Sequence, residues 1–167
     1  VFLPAVNGPG YYLLFAYMPT YLKTSLGEGR NFSMLQALLV NVFGLIAVII
    51  MIPIMARLSD RIGRKPVLMI SGIAVAIAAY PMFALIVTGE MMMAVIAVMV
   101  MAIAFSGHAA TVHTVLLEMF PTSVRYSAYS IGFSLSTIIF GGSAPLIMTE
   151  IVKATGNSMV PAYAAVI

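Results

Sequence analysis

Five stretches of the chain contain no Asp, Glu, Lys or Arg: residues 1–22, 31–56, 66–89, 91–117 and 126–149. A helix rises about 1.5 Å per residue, so roughly 20 residues cross the ~30 Å hydrocarbon core of a bilayer. Each stretch is long enough. A soluble domain of buried helices would need amphipathic stripes to meet water, and none is available here. Charged residues make up 8% of the chain and hydrophobic residues 62%, far from soluble averages. Hydropathy therefore predicts an all-α, polytopic membrane protein.

Helices are expected at about 2–22, 33–56, 66–88, 91–117 and 126–149, with 159–167 reading as the first turns of a sixth. The connections between them are short, as in a compact bundle. Val1 opens directly into an apolar run with no charged n-region, so no signal peptide is visible. A start on Val inside a span, together with the short sixth segment, leads to the expectation of a partial chain. Without cysteine there is neither a disulfide framework nor a thiolate metal site. No metal or other cofactor is expected. The net charge of +3 clusters at helix ends, so nucleic acid is not an expected partner.

The residues 56–66 place four of the eight basic side chains, Arg57, Arg61, Arg64 and Lys65, within nine positions between two apolar runs. A tight loop on one membrane face is the expected setting. With Arg125, that face holds five of the Lys and Arg residues, against Lys23, Arg30 and Lys153 on the other. The positive-inside rule makes the five-cation face cytoplasmic.

Asp60, Arg61, Gly63, Arg64, Lys65 and Pro66 resemble the conserved loop G-x-x-x-D-R-x-G-R-[KR]-P of the major facilitator superfamily, with Ala56 in place of its first glycine. A second segment, Glu118-Met119-Phe120-Pro121 through Arg125, is similar to the loop between the tenth and eleventh helices of the metabolite–proton symporters in that superfamily. Phe140-Gly141-Gly142-Ser143 and Tyr17-Met18-Pro19-Thr20-Tyr21 look like the same subfamily, which includes proline/betaine, citrate, α-ketoglutarate and shikimate carriers. The resemblance covers essentially the whole chain. It implies the C-terminal six-helix half of a transporter, with five complete helices and the start of a sixth, in a bacterial cytoplasmic membrane. The expected partners are then a small solute, a proton, membrane lipid and the N-terminal six-helix half.

The resemblance also implies roles for the charged loops. In the family, the Asp and Arg of this loop make contacts that hold the cytoplasmic side shut in one conformation. Asp60, Arg61, Gly63, Arg64, Glu118 and Arg125 are the corresponding gating candidates. Contacts made in one conformation only bias an alternating-access equilibrium. Arg57 and Lys65 read as solvated topology signals.

For the solute, the run Asn7-Gly8-Pro9-Gly10-Tyr11-Tyr12 is the candidate. Gly-Pro-Gly loosens a helix, and broken helices near the midplane are where transporters expose polar groups to solutes. Asn7 and Tyr11 are four apart, hence on one face, with Tyr12 beside them. Amide and phenol groups suit a small polar solute, and tyrosine faces suit a quaternary ammonium. The alternative for these three is a kinked helix with tyrosines at a packing seam. Tyr17 and Tyr21 are expected in the interfacial aromatic belt. Ser130, Ser134, Thr137 and Gly141 form one stripe, read as helix packing in preference to a pore lining.

No Asp or Glu lies inside a predicted span, although intramembrane carboxylates usually carry coupled protons. For a proton symporter the titrating carboxylate is then expected in the N-terminal half, with His113, toward the cytoplasmic end, as the weaker local candidate for proton coupling. His108 and His113 are five apart and do not share a face, which argues against a two-histidine metal site. No intramembrane Lys or Arg is present to pair a di- or tricarboxylate, which favours a zwitterion such as proline or betaine. Organic-acid symport and a non-transporting membrane sensor are the alternatives. An enzyme is rejected, because no nucleophile–base pair, carboxylate pair or metal cluster falls within the spans.

Overall fold

The computed structural model describes residues 10–24, 32–155 and 160–166, and among them there is helix and no strand. Helix α1 covers residues 10–24, with a π-helical segment Tyr12–Tyr17 running directly into the α-helix Met18–Thr24. Helices α2 (Met34–Ile62), α3 (Arg64–Val87) and α4 (Met91–Glu118) follow. Helix α5 spans residues 125–155, as Arg125–Ser136, a second π-helical segment Thr137–Gly141, and Ala144–Thr155. A short α6 (Val160–Val166) ends the described chain.

The helix starts follow local chemistry. Ser33 and Gln36 form a reciprocal capping box at the head of α2: Gln36 N–H donates to Ser33 Oγ (3.3 Å) and Ser33 N–H to Gln36 Oε1 (2.9 Å). Two otherwise orphaned backbone donors are thereby satisfied. At its far end α2 runs through Arg57, Asp60 and Arg61 without interruption, so the expected loop 56–66 is reduced to the single residue Gly63. None of these side chains opposes helix outside the bilayer, and Gly63 alone makes the reversal, at φ 99° and ψ 157°. That region belongs essentially to glycine, and a side chain there costs ~1–3 kcal/mol. The Gly63 N–H also donates to Ser59 C=O (3.0 Å), closing the end of α2.

Helix α4 is the central post. Half of its most apolar window is buried, against 22% for α2 and α3 and 17% for α5. It packs against both α2 and α3, which touch each other much less. Small residues make this close approach possible. Ala94, Ala97 and Ala102 are fully buried on α4. A Cβ built at Gly44 of α2 would lie 2.6 Å from Val98, and one at Gly107 of α4 would lie 3.0 Å from Ser71.

The outer surface is apolar. Ile49 (70% exposed), Ile77 (71%) and Ile138 (70%) project away from the bundle, which suits hydrocarbon and not water. Among the described residues four helices, Met34–Ile62, Arg64–Val87, Met91–Glu118 and Arg125–Val152, are long and apolar enough to cross a membrane. Tyr17 and Tyr21 do not sit in an interfacial belt. They are 3% and 0% exposed, packed on each other at 5.9 Å, with Tyr21 edge-on to Phe83 at 5.6 Å. The segment after the π turn faces α2 and α3, and burying rings there outweighs anchoring them at the interface.

Candidate functional site: a charge clamp and a paired π-helical seat

Arg64 is the first residue after the reversal at Gly63 and stands at the head of α3, four positions after Asp60. Its guanidinium bonds the Asp60 carboxylate and reaches the Glu118 carboxylate at the end of α4 at 3.2 Å. A third donor contact goes to Ser59 Oγ at 3.5 Å. One cation thus ties the ends of α2, α3 and α4 together. The planar fork of arginine suits this, because it presents separate donors to two carboxylates. Asp60 and Glu118 side chains are 62% and 54% exposed, and that of Arg64 is 31% exposed. Water therefore weakens each pair.

The other loop candidates stand apart. Arg125 donates from Nε to Phe120 C=O (3.2 Å) and so orders the turn between α4 and α5. Arg61 is exposed and forms no ion pair among the described residues. The structure thus brings together Asp60, Gly63, Arg64 and Glu118 and leaves Arg61 and Arg125 outside the clamp.

Asn7 lies outside the described residues. Tyr11 immediately precedes the π-helical segment of α1 and Tyr12 opens it. Tyr11 is 47% exposed, edge-on to Tyr12 at 6.0 Å and tilted against Phe15 at 5.3 Å. Phe15 in turn meets Phe105 of α4 at 6.4 Å, and Phe105 stacks on His108 at 5.9 Å. The arc of rings therefore runs from an exposed phenol to a buried imidazole. A π turn widens the helix and misaligns its hydrogen bonds. Here the Phe15 carbonyl accepts from Asn41 Nδ2 of α2 at 3.0 Å, which fixes the widened turn from outside. Asn41 was one of the less prominent polar residues in the sequence, and its only signal is being an amide within a charge-free span.

The second π-helical segment meets the first at Tyr12. A Cβ at Gly141 would stand 2.8 Å from Cδ2 and Cε2 of Tyr12 and 3.5 Å from the Thr137 methyl. Ser130 and Ser134 of the expected stripe are exposed, whereas Ser136 and Gly141 are buried. The hydroxyls of Ser136 and Thr137 are buried and have no hydrogen-bond partner among the described residues.

His113 of α4 bonds through Nδ1 to the Tyr129 hydroxyl of α5 at 2.8 Å, with Phe133 against its ring at 5.1 Å. This links α4 to α5, and Tyr129, one turn after Arg125, is a partner that the sequence did not single out. No three His, Asp or Glu side chains among the described residues converge on a point able to hold a metal. A crevice of about 380 Å³ opens between α2 and α3 over α4, lined by Leu58, Ile62, Ile70 and Ile103 among others. Ser71 is its one hydroxyl, and it donates to Leu68 C=O. A charged solute would find nothing to bond there.

The family model of the Major Facilitator Superfamily matches residues 1–167. The chain is 32% identical over 153 residues to the glycine betaine/proline/ectoine/pipecolic acid transporter OusA of Dickeya dadantii, covering 92% of this chain and 30% of that protein. It is 30% identical to the proline/betaine transporter of Escherichia coli strain K12, with the same coverage. To the ectoine/proline transporter ProP of Corynebacterium glutamicum it is 34% identical over 158 residues, 95% of this chain and 30% of that one. The chain thus spans 30% of the length of each of these relatives. No solved structure matches it significantly.

Proposed function

The chain belongs to the major facilitator superfamily as a multi-pass integral membrane protein, and on that footing we propose that it forms the C-terminal part of a proton-coupled symporter for a small zwitterion of the proline/betaine class. The proposed setting is a bacterial cytoplasmic membrane, with the remaining six-helix half completing the solute pathway. The observation that carries the solute class is the identity of 30–34% to relatives named as betaine, proline and ectoine transporters. The arrangement of the chain is compatible with it. Tyr11 and Tyr12 present ring faces at a widened turn, where a quaternary ammonium or pyrrolidinium gains from cation–π contact. Arg64, with Asp60 and Glu118, is the proposed gate: a contact of α2, α3 and α4 that strengthens one conformation only. His113, tied to Tyr129, is the proposed local titrating group.

The solute class is tested by competition. The full-length protein in detergent is expected to bind labelled proline, with displacement by glycine betaine and ectoine and none by a tenfold excess, or about that, of citrate. Displacement by citrate in preference to betaine would move the chain to the organic-acid carriers.

A further inference from the structure

Helices α2 and α3 both pack on α4 and touch each other little, which leaves the crevice of about 380 Å³ between them. Its walls include Leu58 and Ile62 of α2 and Ile70 and Ala74 of α3, and its floor Ile103 and Ala104 of α4. Ile70 continues into the exposed Ile73 and Ile77 of α3, so the mouth opens onto the hydrocarbon-facing surface. Water would find almost no polar partner inside, and an empty crevice would forfeit dispersion contacts along its lining. An apolar chain is the filling that suits it. At the end of α2 this crevice meets charge. Arg61 stands three residues after Leu58, about 60° around the helix, and Arg57 and Arg61 are four apart, about 40°. Both arginines are exposed and form no ion pair among the described residues. The two carboxylates nearby, Asp60 and Glu118, are already held by Arg64.

We propose that this crevice is the site of a phospholipid with an anionic headgroup, one acyl chain lying between α2 and α3 over α4 and the phosphate meeting Arg57 and Arg61. The division of labour follows from the solvent. An acyl chain gains no hydrophobic free energy by leaving the bilayer for a crevice that is equally apolar. The headgroup therefore decides which lipid stays. Arginine stems run along apolar surface while their guanidinium groups reach headgroup level, where the planar fork pairs with phosphate. A phosphatidylcholine headgroup carries its own cation and competes with the arginines, whereas phosphatidylglycerol brings a net negative charge. The lipid would bridge α2 and α3, which make few contacts of their own, and it gives Arg61 the partner that the clamp does not. The inference needs only the membrane setting of the chain and is independent of the solute carried.

Native mass spectrometry of the full-length protein in detergent, titrated with dioleoylphosphatidylglycerol or dioleoylphosphatidylcholine, tests both parts. The wild type is expected to bind the glycerol lipid about twentyfold more tightly, at about fivefold per arginine. Arg61→Gln should cut that preference about fivefold, and the double variant Arg57→Gln, Arg61→Gln should abolish it. Lys65→Gln is the control: Lys65 lies about 140° around α3 from Ile70, and its loss should leave the preference within about twofold. Equal binding of the two lipids by the wild type, or a Lys65→Gln loss as large as that of Arg61→Gln, would overturn the headgroup assignment. Ala104→Phe on the floor and Ala74→Leu on the wall each fill the crevice, and each is expected to weaken binding of the glycerol lipid about tenfold. Undiminished binding in both would show that the lipid sits elsewhere, or that another part of the protein covers the crevice, and would overturn the site. A protein that transports proline without this lipid preference defeats the inference alone. One that shows the preference and carries no zwitterion defeats only the solute reading.

Discussion

Replacing Arg64 with alanine is expected to slow solute uptake about five- to tenfold while solute affinity stays within about twofold. Arg64 is the one cation shared by Asp60 and Glu118, and its loss leaves two carboxylates at the junction of α2, α3 and α4 with no ion-pair partner among the described residues. The effect is bounded by exposure. Each carboxylate is more than half exposed, and ion pairs in water contribute little individually. A bias of this size does not unfold a bundle whose core lies on α4, but in the proposed alternating-access cycle it shifts the equilibrium between conformations. Asp60→Asn removes one of the two pairs and should therefore give a smaller loss, about twofold, in the same assay. Initial uptake rates and binding isotherms on the same preparations separate rate from affinity. Wild-type uptake in Arg64→Ala would remove the clamp from the transport cycle and leave it a topology signal.

Tyr11→Ala is expected to raise the dissociation constant for glycine betaine about tenfold, and Tyr11→Phe to leave it within about twofold. The ring face, not the hydroxyl, is what a quaternary ammonium uses, and Tyr11 is the most exposed member of the arc that continues through Phe15 and Phe105. Its partial exposure also means that truncation removes little packing, so a change in affinity is not a disguised loss of stability. The Phe variant is the control that separates cation–π contact from hydrogen bonding. An unaltered dissociation constant in Tyr11→Ala would return Tyr11 to the helix-packing seam.

Much of this architecture is legible in the chain because the bilayer constrains it so strongly. Charge-free runs at 31–56, 66–89 and 91–117 correspond to α2, α3 and α4, since a continuous apolar run of this length satisfies its backbone polar groups in hydrocarbon as a helix. Asp60, Gly63, Arg64 and Glu118 are legible from family motifs, and the structure joins Asp60 and Glu118 through the Arg64 guanidinium, with Gly63 making the turn that places it. Periodicity did not show that the reversal takes a single residue. Arg57, Asp60 and Arg61 are polar enough to read as loop, yet a helix extending beyond the membrane accommodates them readily. Burial of Tyr17 and Tyr21 was equally hidden, because a tyrosine near a helix end fits a belt or a core, and only the partner, Phe83, decides. The π turns were illegible for a further reason. They depend on contacts made from other helices, Asn41 to the Phe15 carbonyl and Gly141 against Tyr12, between residues far apart in the chain. Gly8-Pro9-Gly10 signalled a weakened helix in that neighbourhood, but not the form the weakness takes. By spacing Ser130, Ser134, Thr137 and Gly141 share one face, whereas in the structure Ser130 and Ser134 are exposed and Gly141, at the end of the widened turn, is seated on Tyr12 of α1.

The most direct test of the account is uptake by the full-length protein in proteoliposomes under an inward proton gradient, with labelled proline, glycine betaine and citrate compared with and without an uncoupler. Proline or glycine betaine uptake is expected to collapse when the gradient is dissipated, with citrate left outside. Uptake of citrate in their place, or zwitterion uptake indifferent to the uncoupler, would contradict it.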